Sequence, residues 1–171
     1  MPIASTSSVS RHFSSIDDLE SAINACNDVF EQDFGPGHVW DARCAPEIIL
    51  MAKNETGTVI GVMGLHFHEK NRAWELGTMS TSTPRAHNEV TKYLLENEAP
   101  HSIRRFYGEG DAWLVMRLKQ TNVRLQTSMQ SIGFNLPQHF MVGIMEDDGY
   151  VPFDPVDEVL MKKKIVFAVD P

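Results

Sequence analysis

Apolar positions change their period several times along the chain, and each change marks an element. Ile16, Leu19, Ile23, Cys26 and Phe30 recur at helical spacing behind Ser15, which has an acid, Asp18, three residues on. A helix therefore starts there and buries one face to about Phe30. Val9 to Phe13 reads as a short strand ahead of it, and residues 1–8, small and polar, as a flexible end. Gly35-Pro36-Gly37 closes the region, and the mixed polarity of 38–43 fits either a loop or a short second helix. Pro46 to Lys53 and Thr58 to His68 are apolar runs joined by Asn54-Glu55-Thr56-Gly57, turn chemistry that predicts a hairpin. Gly61 and Gly64 inside the second run mark a bulge or a close backbone approach.

The stretch from Ala73 to Asn97 passes from period two to helical period. Trp74, Leu76, Thr78 and Ser80 alternate as a strand, Ser82-Thr83-Pro84 signals a turn, and Ala86, Val90, Tyr93 and Leu94 follow at helical spacing. A strand that ends at a helix N-terminus offers free N–H groups and the positive end of the helix dipole, a generic phosphate site. Pro100 to Gly110 reads as a polar connection, and Ala112 to Leu118 as a buried strand parallel to the first. A helix from Thr121 or Asn122 carries Leu125, Met129 and Ile132 and stops at Gly133. His139–Met145 and Val159–Val169 read as further strands around an acidic loop from Glu146 to Glu158, with Lys162 to Lys164 as a solvated edge. Ile23, Leu94, Leu114, Leu125 and Ile132 are the expected core.

Composition narrows the function classes. At 171 residues and 42% hydrophobic content the chain suits one well-buried core, hence a single domain. Lys and Arg number 15 against 23 Asp and Glu, a net charge of -8, which opposes non-specific binding to nucleic acid or an anionic membrane. Without an apolar run of bilayer length or a signal-peptide core, the expected location is the cytoplasm. Cys26 and Cys44 form neither a disulfide framework nor metal-ligand spacing. His66 and His68 alternate onto one strand face but would need a third ligand, and no metal is expected.

Candidate chemistry centres on Glu75, an acid inside an apolar strand, and on Arg85, ten residues later at the helix start. Buried, Glu75 needs a partner, so it either faces solvent, meets an Arg across the sheet, or lines a cleft as a general base. Together with Asn122, a following helix and Gly133-Phe134, this order resembles the GCN5-related N-acetyltransferase (GNAT) superfamily. The resemblance implies an acyl-CoA N-acyltransferase-like α/β domain over residues 9–171, with a mixed, mostly antiparallel central sheet and helices on both faces. It places the family's pyrophosphate loop, Arg/Gln-x-x-Gly-x-Gly/Ala, on Arg85, Ala86, His87, Asn88, Glu89 and Val90. Only Arg85 matches, and Asn88 and Val90 stand where small residues open the cradle. The amides of Met79, Ser80 and Thr81 would hold the pantetheine arm, and Asn122 would flank the cofactor. Glu75 sits where some members place the base. Met129 replaces the Tyr that protonates the leaving thiolate, which leaves solvent or Ser128 as its proton source. The implied activity is acetyl transfer from acetyl-CoA to a primary amine of a small molecule, peptide or protein, by direct attack. A CoA thioester and an amine are its partners, and a homodimer is compatible with it. The alternative is a catalytically degenerate binding or structural protein of this fold, such as some bacteriophage virion-associated proteins resemble.

Overall fold

The computed structural model describes residues 3–36, 40–41, 43–69, 72–82, 87–108, 112–135 and 157–165. Its elements are β1 (Ser5–Ser10), α1 (Ile16–Phe34), β2 (Ile48–Lys53), β3 (Val59–His68), β4 (Ala73–Thr81), α2 (His87–Tyr93), a π-helical turn (Leu94–Glu98), α3 (Ala99–Tyr107), β5 (Ala112–Lys119), α4 (Val123–Ser131) and β6 (Glu158–Ile165). They form a single α/β domain around a six-strand mixed sheet in the order β1-β2-β3-β4-β5-β6. β1–β2, β2–β3 and β5–β6 pair antiparallel, and β4–β5 pair parallel. Within the domain, residues 1–65 with 77–108 make one compact unit, and 66–76 with 109–171 a second. The strand expected over His139–Met145, the acidic loop down to residue 156 and the end of the last strand lie outside the described residues.

In the first unit, Ser15 caps α1 by accepting the Asp18 N–H at 3.1 Å. Leu19, Ile23, Cys26 and Phe30 are buried with Ile49, Met51 and Val62, alternate residues of β2 and β3 that share one sheet face. The other face carries the helical segment after β4, because Thr6, Ser8 and Gly61 point that way. Thr6 Oγ1 donates to Glu98 Oε2 at 2.6 Å, and Ser102 Oγ lies 2.6 Å from Ser8 Oγ. A Cβ on Gly61 would collide with Val90, so this glycine marks a close approach, and it also flanks a bulge. The register shifts there, with Ala52 opposite Gly61 and Lys53 opposite Val59, which leaves Ile60 as the extra residue beside the turn.

Two expectations fail here for identifiable reasons. The first strand begins at Ser5, pairing Ser5 with Lys53 and Ser10 with Ile48, so residues 5–8 are a paired strand and not a loose end. Its hydroxyl side chains carry no apolar alternation, and they are ordered by partners ninety-odd residues away, as the 92-residue separation of Thr6 and Glu98 shows. Helical structure also continues through Pro100 to Tyr107, where a polar connection is expected. A proline inside an α-helix leaves one carbonyl unpaired and crowds it. The wider turn just before it relieves that, with the Ala99 N–H bonded to the Leu94 carbonyl in an i to i+5 link, and Pro100 falls in the first turn of α3.

In the second unit, Phe67 and Trp74 pack with ring centroids 4.7 Å apart. Met129, Ile132 and Phe134 are buried, and Lys163 Nζ donates to the Ile132 carbonyl at 2.8 Å, tying α4 and its exit to β6. Gly133, at φ 102°, ends the helix as expected. Of the expected core, Ile23, Leu94, Leu114 and Ile132 are buried, whereas Leu125 is half-buried in the first turn of α4. The lysines of β6 are not simply a solvated edge. Lys162 is buried with its Nζ 4.9 Å from the centre of the Trp113 ring, a cation–π contact, and only Lys164 is exposed.

Burial pushes the Cys26 thiol up to about 12, while Cys44 is exposed. A thiol reagent at about pH 8 should therefore modify Cys44 alone in the native protein and both cysteines in denaturant, as counted by mass spectrometry. Rapid native labelling of Cys26 would contradict the packing of α1.

Candidate functional site

In the second unit three ionisable side chains converge. Parity along β4 puts Glu75 on the face opposite Trp74, and the register Glu75↔Val115 brings Arg117, two residues further along β5, to that same face. His68 is on the opposite side of β3 from Phe67, whose ring lies on Trp74, so it too faces Glu75. The Arg117 Nη2 donates to Glu75 Oε1 at 2.6 Å. The second oxygen, Oε2, lies 3.6 Å from His68 Nε2. That is beyond hydrogen-bond length, and among the described residues neither atom has a hydrogen-bond partner, although both are shielded from solvent.

Only 5% of Glu75 is exposed, so its charge requires compensation, which the guanidinium supplies. The partner across the sheet that the sequence leaves as one option is therefore present, and it occupies one oxygen only. A carboxylate held by one oxygen keeps the lone pairs of the other for a proton, so the ion pair is compatible with base chemistry at Oε2. Arg117 and His68 are the site residues that the sequence does not single out. The signal for both is strand parity, and it becomes usable only once the register is known.

The positions expected to hold a CoA thioester lie mostly in the first unit. Ser80 and Thr81 are buried, and Ser80 Oγ donates to Asp33 Oδ2 at 2.6 Å, which commits its side chain to the end of α1. Met79 is half-buried on the same strand. Arg85 and Ala86 lie outside the described residues, as does the side chain of His87, where α2 begins. Asn88 and Glu89 are exposed. Val90 is buried against Gly61, so its side chain serves the core and Asn88 is the one that stands clear of it.

In the second unit, the Asn122 carboxamide oxygen accepts the Leu125 N–H at 3.2 Å, giving Asn122 a local role as N-cap of α4. Ser128 is half-buried, and its carbonyl accepts the Ser131 hydroxyl at 2.6 Å. Met129 is fully buried and has no titratable proton to give. Among the described residues, no group of three or more His, Cys, Asp or Glu is arranged to hold a metal ion, and no helix is long and apolar enough to cross a membrane.

No protein-family model and no curated protein matches the chain. Solved structures do match along nearly all of it. The chain is similar to aminoglycoside 6'-acetyltransferase type Ii, with 14% identity, a TM-score of 0.60, and coverage of 96% of this chain and 99% of the other. It is similar to an acetyltransferase of the GNAT family from Staphylococcus aureus Mu50, with 12% identity, a TM-score of 0.57, and coverage of 94% and 99%. An acyl-CoA N-acyltransferase from Pseudomonas aeruginosa matches with 14% identity, a TM-score of 0.54, and coverage of 93% and 98%. The fold is thus that of the GNAT acyl-CoA N-acyltransferases, as the order of strands and helices in the sequence leads one to expect.

Proposed function

We propose that this protein is a cytoplasmic acyl-CoA-dependent N-acyltransferase that moves an acetyl group from acetyl-CoA to a primary amine by direct attack. The observation that carries this reading is Glu75: a buried carboxylate on the central strand of this fold, anchored at one oxygen by Arg117 and, among the described residues, without a hydrogen-bond partner at the other. Such a group can take a proton from an ammonium, directly or through one water, and free the nitrogen lone pair for attack on the thioester carbonyl. The backbone of Met79, Ser80 and Thr81 would position the thioester arm, Arg85 to Val90 would meet the diphosphate, and Asn122 would flank it. The thiolate would take its proton from solvent or from Ser128, because Met129 has none to give.

A second reading keeps the fold without the reaction, as a binding or structural protein. Asn88 in place of a small residue, and the fully buried Met129 in place of an acid, favour it. The two separate on ligand binding. Acetyl-CoA at a hundredfold its Kd should add about 2.7 kcal/mol to the unfolding free energy, and hence raise Tm by roughly 5–11 °C for a domain of this size. A melting curve indifferent to millimolar acetyl-CoA would favour the non-enzymatic reading.

A further inference from the structure

We infer that His68 is the outlet for the proton that Glu75 accepts, a proposal that rests on the acyltransferase reading above. A general base must shed its proton before the next turnover, and Glu75 is poorly placed to do so alone, with 5% of the residue exposed and Oε1 held by Arg117. Arginine stays protonated and cannot relieve it. The remaining oxygen faces His68 Nε2 at 3.6 Å, and a closure of less than about 1 Å makes a hydrogen bond of ordinary length. Among the described residues nothing competes for either atom, so no existing bond has to break for that closure. The imidazole also spans the required distance: its Nε2 is shielded beside the carboxylate, while 29% of the side chain as a whole is exposed. Neutral imidazole is the side chain suited to accept at one nitrogen and release to water near neutral pH.

The protons balance as follows. One ammonium N–H bond breaks, and its proton goes to Glu75 Oε2. The amine lone pair forms the bond to the thioester carbonyl carbon, and the C–S bond then breaks with its electron pair leaving on sulfur. The nitrogen loses its second proton to solvent on collapse and the thiolate takes one from solvent, so these two cancel. The net proton of the reaction is the one on Glu75. It passes to His68 Nε2, and the imidazolium releases it to water, restoring the carboxylate and the neutral ring.

The test uses His68→Ala and the bulk-preserving His68→Gln in the full chain, assayed with acetyl-CoA and a primary amine that the parent acetylates. In both variants kcat should fall by roughly 10- to 100-fold with KM for either substrate little changed. Added imidazole should restore part of the rate to His68→Ala in a saturable way and do nothing for Glu75→Gln, once the uncatalysed background is subtracted. Variants as fast as the parent would overturn the outlet and leave the base intact. Slow variants deaf to imidazole would overturn it as well, by reducing His68 to a structural role. A parent that acetylates no amine would remove the base and the outlet together.

Discussion

Under the acyltransferase reading, Glu75→Gln should retain acetyl-CoA binding and lose about a hundredfold or more in rate at pH 7, the range that removal of a general base commonly produces. The amide keeps the shape of the carboxylate and still accepts the Arg117 hydrogen bond through its carbonyl oxygen. Fold and cofactor affinity therefore survive, while the capacity to take a proton is gone. Half-exposed, the Arg117 guanidinium is stabilised by water when its counter-charge is removed, so loss of structure is not the expected cause of the defect. The deficit narrows as pH rises and the acceptor amine reaches the site already deprotonated. Rates at saturating substrate across pH 6–10 check this, and a variant as active as the parent throughout would take Glu75 out of the mechanism.

Phe30→Ala is the substitution with the largest expected effect on stability, a loss of about 3–5 kcal/mol. Phe30 is 1% exposed, and its ring meets Trp40 edge-on with centroids 4.7 Å apart. It belongs to the cluster in which α1 covers Ile49, Met51 and Val62, so truncation opens a cavity that backbone on a sheet cannot readily close. Domains of this size are stable by only about 5–15 kcal/mol, and such a variant should show a much lower midpoint in urea with little change in slope. A loss below about 1 kcal/mol would mean that α1 does not seal this face.

The helix-start signal at Ser15 and Asp18, the Asn54–Gly57 turn, the stop at Gly133 and the helix start at Thr121 or Asn122 all appear in the structure where the chain writes them. Each is a local device: a side chain satisfies a backbone group two to four residues away or, at Gly133, a missing side chain permits the positive φ, so neighbouring residues alone decide whether it can form. The parallel partnership of β4 and β5 is legible for a related reason, because a strand, a helix and a strand in succession leave little topological choice. Departures arise where the partner is remote. Nothing local in Ser5–Ser8 distinguishes a paired strand from a loose end, since its stabilising groups include Glu98 and Ser102. Pro100 reads as a break because local rules apply to an α-helix, and a π-turn evades them.

The candidate site divides along the same line. The sequence by itself determines that an acid sits within an apolar strand at Glu75, that His68 and Arg117 lie on strands, and that Met129 falls on an apolar helix face, because period and composition are properties of neighbouring residues. Only the tertiary structure decides that Glu75 is buried, that Arg117 takes one of its oxygens, that His68 faces the other, and that Val90 belongs to the core against Gly61. Strand register is the physical reason. A shift of one residue between β4 and β5 would turn Arg117 to the opposite face, and register is set by the burial of whole faces, which no single strand records.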